Sequence, residues 1–478
     1  MRIVYIHPEG YQKRYSEVVI PVGMIGVINK LIMMGYDITG INIPLEKRLN
    51  NKFSIQNYFE NNLYDIYLID LHWYIFSYNA IEMSKWIKSI NRNAIVILGG
   101  ITATQYKNEI AKDYECVDFI ISGDSEVCYE KLFAKLSGKQ ISYSEIENLT
   151  YREGDNVLNN VVRCINNKKF NELSYYNYDW LRNWKSFLKC QAHEEVMENG
   201  MESLLAWIPI ARGCKYNCSY CGGNTVFFKN YFNYEGYNLR SIDAIVKDMK
   251  NLYRQGINKV GVTHDLAIFG DEFWGELFGE IEKSKINLSI FHYCFQLPNQ
   301  KFIYKFNETF NEERSVIGIP VITGNEEVRR KNGKFFSNED LFETLDAFTG
   351  KKTIVSLYFI DNAIDCGENT FNDTKNLIME LAEKYLGIIR LQIGYGFELL
   401  QPSSGVYRGE YINSGIQPEW KNFNDIYFRF SPEFEKWIRQ MKNQNLIFGH
   451  TMQDKELLSR YKYFNKIIKE LRLSCDIQ

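Results

Sequence analysis

Apolar and polar positions change period repeatedly along the first 140 residues. Arg2 to Ile6 is a short β-branched run, and Val22 to Met34 has helical spacing that ends at Gly35. Asp37 to Ile43, Ile66 to Leu71, Ala94 to Leu98 and Asp118 to Ser122 read as further strands. Between them, Tyr78 to Ile90, Tyr106 to Asp113 and Glu126 to Leu136 read as helices. Strands alternating with helices predict an α/β fold with a doubly wound parallel sheet over residues 1–140. Ligands of such sheets sit beyond the carboxyl ends of the strands, near the switch point.

Residues 141–205 read as a weakly patterned connector. Asn148 to Arg152 and Val157 to Arg163 predict a hairpin around Gly154-Asp155-Asn156. The aromatic stretch Tyr175 to Trp184 is expected to pack two domains together. Over residues 206–410 the alternation resumes. Strands are expected at Leu204 to Ile210, Lys259 to His264, Leu288 to Phe295, Val316 to Ile322, Thr353 to Ile360 and Ile388 to Tyr395. A helix is expected at Ile242 to Arg254. Residues 411–478 read as a mainly helical extension, with Tyr427 to Leu446 and Asp454 to Leu473 covering the barrel mouth or the domain interface.

Composition narrows the classes. The 478 residues carry a net charge of −3 and are 45% hydrophobic, enough for sizeable cores. Basic residues are scattered, so neither nucleic acid nor a membrane surface is indicated as partner. No apolar run approaches the ~20 residues of a membrane span. Met1-Arg2-Ile3-Val4 leads straight into a strand, without the pattern of a signal peptide, so a cytoplasmic location is expected. Ten cysteines in so long a chain are not a disulfide framework.

Three of those cysteines carry chemistry. Cys214, Cys218 and Cys221 stand in Arg212-Gly213-Cys214-Lys215-Tyr216-Asn217-Cys218-Ser219-Tyr220-Cys221-Gly222-Gly223, just after the strand that ends near Ile210. A closed zinc site takes four protein ligands, and an ordinary electron-transfer cluster takes four cysteines. Three thiolates on a cube of four irons leave one iron open to a substrate or cofactor.

Cys-x3-Cys-x2-Cys, with aromatic Tyr220 before the last cysteine, resembles the signature of radical S-adenosylmethionine (SAM) enzymes. The resemblance implies a [4Fe-4S] cluster whose open iron chelates SAM, and reductive cleavage to a 5′-deoxyadenosyl radical. It implies a partial (β/α)6 barrel over residues 206–410. SAM contacts are implied at Tyr220, Gly222 and Gly223, at Asp265 after the second barrel strand, and at Thr323, Asn325 and Arg329 after the fourth. For Asp265 the alternative is a helix cap, and for the Arg329-Arg330 pair a solvated helix face. Tyr293, Gln296 and His292 lie on or beyond the third strand; alternation puts Phe291 and Tyr293 on one face and His292 and Cys294 on the other. Cys294 and Cys366 read as core thiols or as radical relays.

Residues 1–140 resemble the cobalamin-binding-type, Rossmann-like domain fused to radical SAM barrels. The strings are Ile97-Leu98-Gly99-Gly100-Ile101-Thr102 and Ile121-Ser122-Gly123-Asp124-Ser125-Glu126, with Asp70-Leu71-His72-Trp73 at the third strand. Cobalamin contacts are implied at Leu71, His72, Trp73, Gly99, Gly100, Ile101, Thr102, Ser122, Gly123, Asp124 and Glu126. The alternative for the glycine strings is that they are tight turns, and for His72 a bond to Asp70 or backbone. An Asp-x-His-x-x-Gly motif, which ligates cobalt from below in other corrinoid proteins, is not matched: the first strand runs into His7-Pro8-Glu9-Gly10. The resemblance implies hydrogen abstraction from an unactivated carbon, with methyl transfer from cobalamin. Cyclisation, rearrangement or oxidation without methylation is the alternative. It also implies a small-molecule, lipid or peptide substrate and a reductant such as flavodoxin or ferredoxin.

Overall fold

The computed structural model describes residues 1–10, 17–191, 204–311, 315–360, 365, 368–385, 387–394, 404, 422–434, 436, 463 and 466. The chain divides into two compact units. The first comprises Met1–Gln191, Thr225–Asn238 and Trp420–Leu446; the second comprises Ala192–Asn224, Leu239–Glu419 and Ile447–Gln478.

The first unit contains strands β1 (Arg2–His7), β2 (Asp37–Asn42), β3 (Ile66–Asp70), β4 (Ile95–Gly99), β5 (Phe119–Ile121), β6 (Leu149–Glu153) and β7 (Asn156–Asn159). They form one sheet in the order β2-β1-β3-β4-β5-β6-β7. The first five are parallel, and the β6–β7 hairpin adds to the edge antiparallel. Ile3, Val4, Tyr5 and Ile6 are all fully buried. Both faces of β1 are covered, which is why its sequence is a continuous apolar run and not an alternation. The order 2-1-3-4-5 puts the topological switch between β1 and β3.

The aromatics of the connector pack inside this unit. A Cβ on Gly26 would lie 2.7 Å from the Tyr175 ring, and one on Gly40 would collide with Trp180. Two glycines thus make notches that two aromatic rings fill. The Gly40 amide donates to the Trp180 carbonyl at 2.7 Å, which fixes the connector to β2. The helix Phe423–Arg429 also belongs here. Its Tyr427 hydroxyl donates to Glu82 at 2.6 Å, and Asn424 Nδ2 donates to Asp113 at 2.8 Å. The rest of the two helices expected after Tyr427 lies outside the described residues, apart from a few positions.

The second unit holds β8 (Leu205–Ile208) and then the short β9 (Ala211–Gly213); β10 (Tyr237–Leu239) follows in the chain. After these come β11 (Lys259–Val262), β12 (Ser289–Tyr293), β13 (Val316–Ile322), β14 (Ile354–Ile360) and β15 (Ile389–Gly394). A six-stranded parallel sheet runs β15-β14-β13-β12-β11-β8, with helices between successive strands. This is a partial β/α barrel. The imidazole of His292 packs on Phe302 and Phe306 of the outer helix Gln300–Thr309, at 5.4 and 6.1 Å. Alternation then turns Phe291 and Tyr293 into the barrel. A Cβ on Gly261 would sit 2.6 Å from the Trp207 ring, and one on Gly318 2.6 Å from Tyr293. The glycines leave room for an inner aromatic row: Trp207 stacks on Tyr293 at 6.5 Å, and Tyr358 donates to the Tyr293 hydroxyl at 3.2 Å.

Among the described residues, no helix is long and apolar enough to cross a membrane.

The Gly99-Gly100 turn separates two roles. Gly100 has φ +111°, and a Cβ there would lie 2.6 Å from the Cα of His72. The loops after β3 and β4 are laced together at this point: Thr102 N and Ala103 N donate to the carbonyls of His72 and Leu71, both at 3.2 Å. A Cβ on Gly99 meets nothing closer than the Ile121 carbonyl at 3.9 Å. Gly100→Ala should therefore destabilise the chain by about 2–4 kcal/mol. Gly99→Ala should stay within about 1 kcal/mol of wild type. Urea-unfolding midpoints of the two variants check the contrast; equal midpoints would refute it.

Candidate functional site

The three cysteines follow β9, whose last residue, Gly213, turns at φ +91°. Cys214 and Cys221 are half-buried and Cys218 is buried. The Tyr216 amide donates to Cys214 Sγ at 3.4 Å, and the Cys221 amide to the Cys218 carbonyl at 3.2 Å. Asn224 closes the loop by donating to the Cys221 carbonyl at 2.8 Å. A second segment holds Cys218 from the side. Ser219 Oγ donates to Asn332 at 2.7 Å, and a Cβ on Gly333 would lie 3.1 Å from Cys218 Sγ. Gln296 clamps that segment, donating to the Gly333 carbonyl and accepting from Phe335 N, both at 2.8 Å.

Burial pushes the Cys221 thiol up to about 11, against the Gly223 amide and with Cys218 and Cys214 adding to the rise. Burial also raises Cys214, partly offset by the Tyr216 amide. Lys334 pulls both down; it is only 3% exposed, and its Nζ donates to the Phe295 carbonyl at 2.8 Å. Three soft donors on one loop, two of which, Cys214 and Cys221, resist ionisation by themselves, fit a cationic metal cluster, which stabilises thiolates outright. Tyr220 stands beside Cys218 and Cys221, and burial with those sulfurs raises its phenol far above the usual value. Gly222 is buried.

The loop after β11 is braced from within. Asp265 is fully buried, and its carboxylate accepts from Ala267 N at 2.9 Å and Phe295 N at 2.5 Å. It caps the short turn Leu266–Phe269, whereas the helix Asp271–Lys283 starts from Gly270. His292 Nε2 accepts from Leu266 N at 2.9 Å, and Cys294 Sγ lies 3.6 Å from His292 Nδ1. The ligand atoms of Asp265, His292 and Cys294 all lie within 4.8 Å of one another. Two of the three already hold backbone amides, so this cluster ties β11 to β12. Cys366 lies outside the described residues.

After β13, Asn325 caps the helix Glu326–Lys331, and its Nδ2 donates to Asp373 at 2.8 Å. Thr323 Oγ1 and Thr374 Oγ1 are 2.9 Å apart. The two arginines part company: Arg330 is exposed and Arg329 is fully buried. The Arg329 guanidinium donates to the carbonyls of Val321, Thr323 and Phe336 and to Asn338. Burial lowers it to about 10. Its work is to fasten the loop that carries Thr323 and Asn325.

In the first unit, polar side chains gather at the carboxyl edge of the sheet. His7 ends β1 and Asp70 ends β3; His7 Nδ1 lies 2.6 Å from Asp70 Oδ2. Tyr5 OH and the His72 amide also donate to Asp70, at 2.9 and 3.0 Å. Burial works to raise the Asp70 carboxyl, but the charge and hydrogen bond of His7, with His72, outweigh it and hold it below the ordinary value. Trp73 and Phe76 meet His7 edge to face at 6.2 and 4.9 Å. Leu71 is core, and Thr102 Oγ1 donates to the His72 carbonyl at 3.0 Å. Ile101 packs against the cluster of Phe227, Phe232 and Tyr234. Gly123 turns at φ +67°, and its amide donates to Thr104 Oγ1 at 3.0 Å. The Asp124 carboxylate accepts from Tyr234 OH at 2.6 Å and Ile165 N at 2.7 Å, and Glu126 is buried in the first turn of the next helix. Two polar atoms at this edge, His7 Nε2 and Ser122 Oγ, are buried with no hydrogen-bond partner among the described residues. A Cβ on Gly99, which lies beside Asp70 in register, would meet the Ile121 carbonyl at 3.9 Å. Unmatched buried polar atoms at the strand ends fit a polar cofactor held there.

Sequence reading alone passes over Lys334, Trp207, Tyr358 and the His7–Asp70 pair. Each acts through a neighbour distant in the chain, and no local motif announces it.

Burial, with His7 nearby, pushes the His72 imidazole down to about 4 against the pull of Asp70. The folded chain therefore resists protonation there, while the unfolded chain accepts a proton near 6.5. Stability should fall as pH drops from about 6.5 to 4, by at most about 3 kcal/mol because the residue keeps some exposure. His72→Gln should flatten that part of the profile in urea unfolding measured across this range. An unchanged slope would show that His72 is not its source.

The Radical SAM superfamily profile matches residues 208–364, from β8 to just beyond β14. An uncharacterised methyltransferase of Pyrococcus horikoshii is 24% identical over 190 residues, 39% of this chain and 37% of the relative. An anaerobic magnesium-protoporphyrin IX monomethyl ester cyclase of Synechocystis is 23% identical over 131 residues, 27% of this chain and 23% of the relative. The chain thus spans well under half the length of these curated relatives. Among solved structures, the radical SAM methyltransferase TsrM of Kitasatospora setae, with cobalamin and a [4Fe-4S] cluster bound, has the same fold. It matches with TM-score 0.63 at 14% identity, over 85% of this chain and 74% of that one. Residues 208–364 are a radical SAM domain, and the chain that carries it is an enzyme.

Proposed function

We propose that this enzyme uses a [4Fe-4S] cluster and SAM to abstract hydrogen from an unactivated carbon, and that cobalamin held by the first unit methylates that carbon. The observation that carries the reading is the loop with three cysteines and no fourth, at the start of a barrel whose fold is shared, together with the first unit, with TsrM. When bound, the cluster with SAM supplies a deoxyadenosyl radical, and the corrinoid supplies a methyl group.

The residues of this chain have the other tasks. Cys214, Cys218 and Cys221 hold the cluster, with Gly333 and Gln296 keeping Cys218 in position. Lys334 contributes positive charge beside the sulfurs, which favours an electron-rich cluster. Tyr220, Gly222, Gly223, Thr323 and Asn325 are the proposed SAM contacts; Asp265 and Arg329 act behind them by holding their loops. Trp207, Tyr293 and Tyr358 line the barrel and exclude water from a reactive centre. In the first unit, His72, Trp73, Gly99 and Ser122 are the proposed corrinoid contacts. The substrate is a small molecule, lipid or peptide, the electron donor a flavodoxin or ferredoxin, and the setting the reducing cytoplasm.

A second reading keeps the radical and drops the methyl group. Similarity to the Synechocystis cyclase favours it. Cyclisation or oxidation would leave the product without an added CH2 unit.

Anaerobic purification with cobalamin supplied, followed by metal analysis, tests the proposal. Wild type should hold about four irons and one cobalt per chain, and cleave SAM to 5′-deoxyadenosine after reduction. Cys218→Ala should lose most of the iron and at least ~100-fold of the cleavage while keeping cobalt. Four irons without cobalt would favour the second reading. Zinc in place of iron would overturn both.

A further inference from the structure

We infer that Lys334 sets the reduction potential of the cluster: its buried ammonium is the fixed counter-charge of the three thiolates and favours the reduced state. This rests on the cluster reading above and deepens it by naming the residue that tunes electron uptake.

The argument begins with how the chain delivers this lysine. The helix Glu326–Lys331 ends on Asn332, and Gly333 follows at φ +86°. Gly333 N donates to the Arg330 carbonyl at 3.0 Å, and Lys334 N to the Arg329 carbonyl at 3.2 Å. These two bonds are a Schellman helix end, which needs a left-handed residue that glycine supplies without strain. The turn presses this segment against the cysteine loop: Cys218 Sγ lies 4.0 Å from the Gly333 carbonyl. Lys334 is the next residue. Backbone geometry brings it to the sulfurs, and no long reach from the surface is involved.

The second step is charge. Lys334 is 3% exposed, and its Nζ donates to the Phe295 carbonyl at 2.8 Å. Among the described residues that carbonyl is its hydrogen-bond acceptor, and the ammonium forms no ion pair. An ammonium carries three donors, and lysine is almost never buried unless paired. The acceptor is held firmly, because the Phe295 amide donates to the buried Asp265 carboxylate at 2.5 Å. The same ammonium pulls the Cys214 and Cys221 sulfurs towards ionisation. A buried cation without a carboxylate, beside three thiols that must become thiolates, has those thiolates as its negative partner.

The sign of the effect follows. Three thiolates on a [4Fe-4S]2+ core carry one net negative charge, and the electron taken from flavodoxin or ferredoxin makes it two. A fixed cation attracts the more negative state more strongly, and burial keeps water and salt from screening it. Net charge around a cluster is one of the determinants of its potential. Lys331, three residues earlier, is the contrast: it is exposed and already paired with Glu327 at 3.1 Å and Asp365 at 3.0 Å.

A redox titration of the reconstituted full chain without SAM, followed by the electron paramagnetic resonance of the reduced cluster, tests the inference. Lys334→Met should lower the reduced-to-oxidised ratio at a fixed potential about tenfold, which is ~59 mV for a one-electron couple. Lys334→Arg keeps the charge and should stay within about twofold of wild type. Lys331→Met should also stay within about twofold. Iron content equal to wild type in Lys334→Met separates a charge effect from a damaged site. If that variant loses the cluster, Lys334→Gln, which still offers the Phe295 carbonyl a donor, is titrated in its place. Cluster loss in the Met and Gln variants but not in the Arg variant also supports the counter-charge. Cluster loss in all three makes Lys334 a packing residue and overturns the inference. So does an unchanged potential in the neutral variants, or an Arg variant shifted as far as the Met variant. These results leave the cluster reading standing, whereas wild type without a [4Fe-4S] cluster overturns that reading itself.

Discussion

Three sulfurs confined to one short, half-buried loop cannot all ionise at modest cost in a protein interior. Burial and mutual repulsion push Cys214 and Cys221 up, and one buried lysine offsets only part of this. The surrounding structure is arranged about that constraint. Gly333 gives the chain a close approach to Cys218, Gln296 holds Gly333, and Lys334 reaches across to the Phe295 carbonyl at the end of the third barrel strand. The loops after β12 and β13 are thereby tied to the cysteine loop. A cationic cluster of the kind proposed would resolve the constraint.

The two units use the same device in different chemistry. Each puts its polar side chains at the carboxyl ends of parallel strands, and each uses glycines to admit something bulky. In the barrel the bulk comes from the protein: Gly261 and Gly318 admit Trp207 and Tyr293. At the first sheet Gly100 admits the neighbouring loop. Many of the charged groups near these edges are spent on holding loops. Asp124, Asp265 and Arg329 each satisfy backbone groups.

Much of this was legible in the sequence. Buried parallel strands are continuous apolar runs, so β1, β11, β13 and β14 could be read to within a residue or two. The cysteine loop is a local motif whose meaning lies in its count. What could not be read is pairing across distance. His7 and Asp70 pair across two strands, which no contiguous motif announces. Lys334 follows a helix with no sign that it reaches the sulfurs. Arg329 and Arg330 are adjacent and look alike, yet helical rotation buries one and exposes the other. The aromatic run Tyr175 to Trp184 was expected between domains, whereas Tyr175 and Trp180 fill glycine notches within the first unit, a fit no local pattern reveals.

The central claim is that the three cysteines leave one iron free to bind SAM. The direct measurement is electron paramagnetic resonance of the dithionite-reduced, anaerobically purified enzyme before and after adding SAM carrying a 15N-labelled amino group. The account predicts a [4Fe-4S]+ signal whose g values shift on addition, with 15N coupling to the cluster. A signal unchanged by SAM, with no nitrogen coupling, would contradict it.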